Sequence, residues 1–319
     1  MPGAGPIGLI SNPHSGHNRD QFQFIDTRIA RCQGIRHCVT NTTEDIDLAL
    51  NELASEKIGL LAINGGDGTA SAVLGRLLFG GAFAEPPLIA LLPGGTANMN
   101  AGDVGVRGSL KKAVERFCRW SVGQRSTAGL LRQRALMRVT PGDGAERFGM
   151  FLGAGAVIHG TEYAHREIHS RGLRDDLSLA LGTLRTVWGV SRNDPRFNRH
   201  ERISLALDAQ PARVFDTLIL AVSTLERLSF GMRPFYGTGP GAIRLTLFER
   251  GCTRFTRSFA TIVSGRAGRH ATPANGYHSH NADSLQLAID GKLNLDGELL
   301  DAGGQVAIRA SRPLTFLRL

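Results

Sequence analysis

The sequence lacks the long apolar runs, leader features and cysteine patterns that mark membrane-spanning, secreted or metal-binding chains. No stretch approaches the ~20 apolar residues that cross a bilayer. The N-terminus, Met-Pro-Gly-Ala-Gly-Pro, has neither a basic region nor a small-residue cleavage site, so we expect no signal peptide. The cysteines, Cys32, Cys38, Cys118 and Cys252, lack metal-ligand spacing, which is typical of reduced thiols. These absences predict a cytoplasmic protein.

Common nucleotide-binding and nucleic-acid-binding signatures are missing as well. There is no G-x-x-x-x-G-K-[ST] loop, and no G-x-G-x-x-G follows the first apolar strand, so neither a P-loop NTPase nor a dinucleotide-binding Rossmann enzyme is supported. The net charge of +9 and the pI near 10.1 suit a nucleotide, an anionic membrane face or a nucleic acid. Because no arginine-rich tail, zinc-finger spacing or aromatic RNA-binding signature occurs, we expect no nucleic-acid partner.

Apolar runs and helical patterns alternate through the first part of the chain. Strands are predicted at Ile7–Ile10, Gly34–Thr40, Ile58–Ile63 and Leu88–Leu92, and helices at Asp20–Cys32, Thr43–Ala54, Gly68–Phe79, Ala97–Asp103 and Ser109–Trp120. This alternation is typical of a parallel sheet covered by helices on both faces. A length of 319 residues favours two domains. We predict the first over residues 1–122.

After Gly123 short β-like runs replace this alternation. They are Ala135–Val139, Phe148–Leu152, Ile203–Leu207, Thr217–Val222, Ile243–Leu247, Phe255–Val263, Leu285–Ile289 and Val306–Arg309. One long helix is predicted over about Thr161–Val190, and Ser264–Asn281 is predicted to be an irregular loop. The predicted fold class is therefore α/β, with an N-terminal parallel-sheet nucleotide-binding domain and a C-terminal β-rich sandwich domain over residues 123–312.

Three polar, glycine-bearing loops follow three strands of the predicted parallel sheet. They are Ser11-Asn12-Pro13-His14-Ser15-Gly16, Gly65-Gly66-Asp67-Gly68-Thr69 and Pro93-Gly94-Gly95-Thr96-Ala97-Asn98. In such sheets ligands gather at the carboxyl ends of the strands, and glycine lets the backbone approach a ligand closely. The helix N-terminus that follows offers N–H groups to phosphate. A lone glycine loop is usually a turn, but three at corresponding positions predict a polyphosphate cradle.

The order of four motifs resembles the diacylglycerol kinase and sphingosine kinase superfamily. The motifs are Asn12-Pro13-x-Ser15-Gly16, Gly-Gly-Asp-Gly-Thr, Pro93-x-Gly95-Thr96-x-Asn98 and the late Leu295-Asp296-Gly297-Glu298. Gly-Gly-Asp-Gly-Thr alone is shared with NAD kinases and, in variant form, with phosphofructokinases. The order of all four is more specific to the lipid kinases. The resemblance spans almost the whole chain, with the middle third weakly matched.

The resemblance implies a kinase that uses ATP and Mg²⁺ to phosphorylate the hydroxyl of a diacylglycerol-like or sphingoid lipid. ATP would bind in the cleft between the two domains. The last strand, over residues 313–319, would return to the first domain. The lipid substrate would be met at a membrane surface, by peripheral association at the inner membrane face and without a spanning helix.

The same resemblance implies roles for individual residues. Glu298 would be the general base for the lipid hydroxyl, with Asp290 as a competing carboxylate and Asp296 shaping the turn that presents Glu298. Asp67 would act through Mg²⁺, bound directly or through water, and capping of the helix that follows it is its alternative role. Cofactor contacts are expected from Asn12, Ser15, Gly16, Thr40, Gly65, Gly66, Gly68, Thr69, Gly94, Gly95, Thr96 and Asn98.

Two departures from the family pattern keep other functions open. Met99 stands where the family often has aspartate, and the stretch Gly239-Pro240-Gly241-Ala242-Ile243 lacks the carboxylate that helps some bacterial members hold a structural Mg²⁺. We therefore expect no second Mg²⁺ site. One alternative is a kinase of the NAD-kinase type with a water-soluble substrate. Another is a non-catalytic nucleotide-binding or lipid-binding protein with the same fold.

Two further segments each have a functional and a structural interpretation. Ser109–Trp120 is amphipathic and basic, and could touch anionic headgroups, although a sheet-covering helix is favoured. His278-x-His280 could suggest a metal site. Because it has no defined carboxylate or cysteine partner in the sequence, exposed side chains are favoured.

Overall fold

The computed structural model describes residues 5–123, 126–158, 189 and 201–319, and the helix predicted over Thr161–Val190 lies outside them. The chain forms two compact units. The first comprises Met1–Leu136 with Arg312–Leu319, and the second comprises Met137–Ser311. The sequence analysis placed the boundary at residue 122. The first unit continues to Leu136 because a strand at Leu131–Arg134 pairs with the C-terminal strand at Leu314–Leu317.

The described part of the first unit contains one six-stranded sheet with helices. Its elements are β1 (Ile7–Ser11), α1 (Asn18–Ala30), β2 (Ile35–Val39), α2 (Thr43–Ser55), β3 (Leu60–Gly65), α3 (Asp67–Phe79), β4 (Leu88–Pro93), α4 (Met99–Asp103), α5 (Leu110–Val122), β5 (Leu131–Arg134) and β17 (Leu314–Leu317). The strand order is β2-β1-β3-β4-β17-β5, and among the described pairings of this sheet only that of β17 with β5 is antiparallel.

Apolar sequence explains why this sheet forms. Strands β1, β3 and β4 are buried along their whole length, as expected where both faces of a parallel sheet are covered. Helix α2 begins at a capping box in which Thr42 and Asp45 each accept a backbone N–H of the other. Helix α5 buries its apolar face, including Val114 and Phe117, and exposes its basic face. The favoured interpretation of α5 as a sheet-covering helix is therefore confirmed.

The described part of the second unit is an eleven-stranded sheet whose pairings are antiparallel. Its elements are β6 (Met137–Thr140), β7 (Arg147–Gly149), β8 (Phe151–Gly155), β9 (Glu201–Leu207), β10 (Arg213–Ser223), β11 (Ile243–Glu249), α6 (Phe255–Val263), β12 (Tyr277–Ala282), β13 (Ser284–Ile289), β14 (Lys292–Leu295), β15 (Glu298–Asp301) and β16 (Gly304–Ala310). Alternating inward residues of these strands form one apolar core. The predicted fold class, a parallel α/β unit followed by a β-rich unit, is confirmed.

Two predicted elements in this unit were wrong. Phe255–Val263, predicted as a strand, is helix α6. Its β-branched and aromatic composition suggested a strand, but Phe255, Phe259 and Ile262 have helical spacing and pack on one side. The predicted loop Ser264–Asn281 ends in strand β12, whose polar sequence gave no apolar alternation and whose pairing with β11 is long-range.

Helices of the described ranges are all too short or too polar to cross a bilayer.

Candidate functional site

The loops after β1 and β3 are joined by a small cluster of side chains. Asn12 Nδ2 donates to Thr69 Oγ1 at 3.0 Å, and Ser15 Oγ lies 3.3 Å from the same hydroxyl. The backbone N–H of Gly66 donates to Ser15 Oγ at 3.3 Å. The structure thus brings together four of the predicted cofactor-binding residues, at the carboxyl edge of the parallel sheet where ligands bind in such folds.

Close packing of the loops accounts for two of the glycines. A Cβ on Gly95 would lie 2.2 Å from Gly66 Cα, and one on Gly16 would lie 2.5 Å from Thr96 Oγ1. Any larger residue at these positions would push the loops apart. The glycines were predicted to let the backbone approach a ligand, and the structure gives them the additional role of letting the loops approach one another.

The loop after β4 is closed by Asn98, which holds a left-handed backbone conformation with φ 48°. Its Oδ1 accepts the N–H of Gly95 at 2.8 Å, and its Nδ2 donates to the Gly95 carbonyl at 2.7 Å. The N–H of Gly94 donates to the Gly65 carbonyl at 3.1 Å. The sequence analysis expected the amides of Gly94 and Gly95 to hold phosphate. Both are already bonded within the protein.

Three consecutive N–H groups at the start of α3 do remain available. The backbone amides of Asp67, Gly68 and Thr69 have no acceptor within the part of the chain that the structure describes, as expected for the first turn of a helix. The positive end of the helix dipole coincides with these amides. Together these three amides form a set of donors that fits phosphate oxygens.

Asp67 connects the second and third loops. Its Oδ2 accepts the N–H of Met99 at 3.0 Å and its Oδ1 accepts that of Asn100 at 2.9 Å, so it caps α4 rather than its own helix. The side chain is buried. Burial raises the pKa of the Asp67 carboxyl, against the opposing effect of the Asn100 and Met99 amides. The alternative role predicted for Asp67, capping of the helix that follows it, is not observed, because α3 has no side-chain cap and the carboxylate caps α4 instead. Met99 contributes its backbone N–H to this contact.

The sequence analysis missed Asn100. This side chain is 1% exposed, and neither its amide nitrogen nor its amide oxygen has a partner among the described residues. With Asp67 and Asn98 it lines a small cavity behind the loops, closed by Ile63 and Leu91. A buried polar group without a partner is rare. No pattern around Asn100 in the sequence distinguishes it from an ordinary helix residue.

The donor atoms that line this cavity determine whether it could hold Mg²⁺. The Asp67 carboxylate and the unpaired Asn100 amide oxygen are hard oxygen donors of the kind that Mg²⁺ prefers. Each Asp67 oxygen accepts one N–H and keeps a second lone pair. The described residues contain no group of three His, Cys, Asp or Glu side chains arranged to hold a metal. Asp67 and Asn100 therefore have donor atoms that would suit Mg²⁺, and the described residues do not form a complete metal cage of side chains.

Thr40 lies at the same edge of the sheet, directly after β2. It is 2% exposed, and its N–H donates to the Ser11 carbonyl at 2.9 Å. Next to it, His37 Nε2 lies 2.9 Å from Ser11 Oγ and His37 Nδ1 lies 3.3 Å from an Asp26 oxygen. Ser11 is fully buried, so this Ser-His-Asp arrangement has no access to a substrate and is a structural network.

In the second unit, Asp296 shapes the turn that carries Glu298. Asp296 has a left-handed backbone with φ 49°, and its carboxylate accepts the N–H groups of Met150 and Phe151, each at 2.9 Å. These two bonds interrupt the predicted strand Phe148–Leu152, which is divided between β7 and β8. Glu298 begins β15 opposite Leu295 and is exposed, so its role as the base stays a prediction.

The two histidines of the predicted exposed pair differ. His280 is exposed, but His278 is buried, with its Nε2 2.5 Å from Glu249 Oε1 and its ring against Phe215. The prediction for His278 was wrong because both residues lie on β12, where pairing with β11 brings Glu249 within reach.

Comparison with known proteins agrees with this site. Residues 6–127, which include all three glycine loops, match the family described as the diacylglycerol kinase catalytic domain. No curated protein matches the chain. The resemblance predicted from the motifs is confirmed: this part of the chain is similar to the diacylglycerol kinase catalytic domain.

Solved structures share the fold over nearly the whole chain. One is a diacylglycerol kinase from Bacillus anthracis strain Sterne, with a TM-score of 0.63. Two structures of a candidate diacylglycerol kinase from the same strain have TM-scores of 0.66 and 0.65. Each is 15% identical to this chain, and the match covers 98% of this chain and 97% of the other.

Proposed function

We propose that this protein is an ATP-dependent kinase that transfers the γ-phosphoryl group to a lipid hydroxyl, on a diacylglycerol-like or sphingoid acceptor. The observation that carries the proposal is the set of three available N–H groups on Asp67, Gly68 and Thr69, within a domain that matches a kinase catalytic family. The lipid class of the acceptor rests on the family match.

The loops supply rigid positioning for this reaction. The amides at the start of α3 would hold phosphate oxygens, and the Asn12–Ser15–Thr69 hydrogen bonds would keep that turn fixed against the loop after β1. Phosphoryl transfer depends mainly on positioning and charge stabilisation, so a preformed set of donors is what the chemistry requires.

Asp67 and Asn100 would hold Mg²⁺, which neutralises charge on the phosphate oxygens when it is bound. Asp67 is suited to this because α4 fixes both of its oxygens and leaves one lone pair on each for a metal-bound water. Its negative charge is the feature that an amide cannot replace.

Glu298 would take the proton from the acceptor hydroxyl. It stands exposed at the first position of β15, and Asp296 anchors the turn before it through two backbone bonds. The anchored turn fixes the position of the backbone from which the Glu298 side chain extends. Asp290, also exposed, is the next carboxylate to test.

The acceptor would be met at a membrane surface, by peripheral association of a cytoplasmic protein with the inner membrane face. The exposed basic side of α5 is one surface suited to this. No nucleic-acid partner is proposed.

The test is incubation with radiolabelled ATP, Mg²⁺ and a total lipid extract in mixed micelles, with the labelled product identified by mass. The proposal predicts label in a lipid phosphate monoester. Label in NADP from NAD without micelles would favour the NAD-kinase-type alternative. Binding of ATP without transfer to any lipid would favour the non-catalytic one.

A further inference from the structure

Four basic side chains lie at the start of α6 and in the segment that follows the helix. Arg254 precedes the helix, Arg257 lies in its first turn, and Arg269 and His270 follow it. Arg254 Nη1 lies 2.9 Å from His270 Nε2, and Arg269 Nε lies 3.3 Å from the same nitrogen. Arginine has only donors, so Nε2 must accept and the ring is neutral in this arrangement. We call these four residues the α6 basic cluster.

The positive charge of the cluster is not balanced by the protein. Across the described ranges no carboxylate forms an ion pair with Arg254, Arg257 or Arg269. The pKa of His270 is lowered by partial desolvation and then by the charges of Arg254, Arg269 and Arg257, so all three guanidinium groups act on one ring. Like charges held together without a counter-charge favour a bound anion.

Aromatic packing holds helix α6, which carries part of the cluster, against the sheet. Phe255 and Phe259 of α6 pack edge-on against Phe248, which in turn packs on the buried ring of Tyr277. This aromatic packing fixes the helix on β11 and β12, so little ordering remains when a ligand binds. The three arginines themselves are exposed and accessible.

Arg254 also occupies a costly backbone conformation. Its φ of 55° and ψ of 41° lie in the left-handed region, where glycine is far better tolerated than arginine. The conformation places the Arg254 side chain against His270. A glycine would relieve the backbone and abolish that contact.

We infer that the α6 basic cluster binds a phosphate group, either free phosphate or the headgroup of an acidic phospholipid. Guanidinium groups match phosphate oxygens in a bidentate fashion, and a phosphate would offset the repulsion among three of them. This inference concerns the second unit alone and does not depend on the proposed phosphotransfer.

The first experiment measures binding of the whole protein to vesicles of phosphatidylcholine with phosphatidylglycerol, and to phosphatidylcholine alone. The variant Arg254→Gln, Arg257→Gln, Arg269→Gln is compared with a control that removes the same charge from scattered exposed sites, Arg31→Gln, Arg202→Gln, Arg309→Gln. We expect the cluster variant to bind the anionic vesicles at least about tenfold more weakly, the effect of losing one hydrogen bond to a charged group. The control should change much less. Equal losses in both variants would overturn the inference as general electrostatic attraction.

The second experiment follows His270 by NMR, with its signal assigned by His270→Gln. Added inorganic phosphate should raise the pKa of His270, because its charge offsets the neighbouring arginines, and chloride at equal ionic strength should not. A phosphate shift would identify free phosphate as a ligand, and loss of vesicle binding in the cluster variant without such a shift would identify the lipid headgroup. If the cluster variant and the control bind the vesicles alike and phosphate leaves the pKa of His270 unchanged, the site does not exist.

The variant Arg254→Gly distinguishes a loss of binding from a loss of folding. It should not lower the Tm, because the left-handed backbone suits glycine, yet it should weaken binding. Unchanged binding with an unchanged Tm would remove Arg254 from the site and contradict the cluster as assigned.

Discussion

At the residue scale, two motif aspartates perform the same structural task. Asp67 accepts the N–H groups of Met99 and Asn100, and Asp296 accepts those of Met150 and Phe151. In each case one carboxylate fixes two consecutive backbone amides of a distant segment. A sequence shows that a carboxylate stands in a glycine-rich motif, but it does not show which amides that carboxylate will meet, because they lie more than thirty positions away in the first case.

Replacing Asp67 by asparagine separates its charge from its capping role. The amide can accept only one of the two N–H groups, so we expect a loss of about 1 kcal/mol of stability with the fold retained. If the negative charge organises Mg²⁺, turnover should fall at least about a hundredfold. Thermal unfolding and kcat measure the two effects.

The matched control is Asp45→Asn. Asp45 also accepts two backbone N–H groups, from Asn41 and Thr42, at an exposed helix start. Its loss should cost similar stability while leaving kcat nearly unchanged. If Asp67→Asn keeps full turnover, capping alone is the role of Asp67.

Burial of Asp67 has a consequence for pH. Its pKa in the folded protein is raised above the unfolded value of about 3.9. The folded state therefore binds the proton on Asp67 more tightly than the unfolded state does, and protonation of Asp67 stabilises the fold. This stabilisation is complete below the unfolded pKa and is lost as pH rises through the folded pKa. Urea unfolding of the wild type and Asp67→Asn should show the wild type losing stability relative to the variant as pH rises from about 4. If the wild type instead gained stability relative to Asp67→Asn as pH rises, the raised pKa of Asp67 would be contradicted.

At the element scale, the sequence predicted the parallel sheet well and the second unit less well. Strands β1, β3 and β4 are uninterrupted apolar runs, and each ends in a glycine-bearing loop, so both strands and loops could be read locally. Helix α6 and strand β12 could not, because a helix of β-branched residues and a strand of polar ones are stabilised by long-range packing.

The same limit applies to the candidate site. The glycine loops were found from their residues, but which amides remain available depends on contacts between loops. Gly66 and Gly95 donate their N–H groups to Ser15 and Asn98, whereas Asp67, Gly68 and Thr69 in the first turn of α3 have no acceptor among the described residues. Asn100 could not be predicted from the sequence either, because its burial depends on the tertiary fold and not on its neighbours in the sequence.

Contact between the loops makes Gly95 a sensitive position. Gly95→Ala would place Cβ 2.2 Å from Gly66 Cα, which must move the loop away from α3. We expect ATP affinity to fall at least about tenfold and the Tm to drop, because overpacking costs roughly 1–3 kcal/mol. Calorimetric ATP titration and thermal unfolding provide the measurements.

Gly102→Ala is the comparison for this change. Gly102 lies in α4 with no atom within 4 Å of an added Cβ, so alanine should be neutral or stabilise by up to about 1 kcal/mol. ATP affinity should stay the same. Equal behaviour of the two variants would mean that the loops are not held by close packing at Gly95.

At the scale of the whole molecule, the turn proposed to bind phosphate belongs to the first unit, and Glu298, the proposed base, belongs to the second. Glu298→Gln should lower kcat by about two to four powers of ten while ATP affinity, set by the first unit, stays nearly unchanged. Steady-state kinetics with calorimetric ATP binding test this. A small effect on kcat, with a large one in Asp290→Asn, would transfer the base role to Asp290.

The most direct test of the central claim follows the backbone amides of the whole protein by ¹⁵N–¹H NMR during titration with Mg-ATP. The claim is that the first turn of α3 holds the phosphates through N–H groups that have no partner within the described structure. The signals of Asp67, Gly68 and Thr69 should shift with one common saturation curve, and more than that of Gly95, whose N–H is already bonded to Asn98. Saturable ATP binding that leaves these three signals in place would contradict the claim.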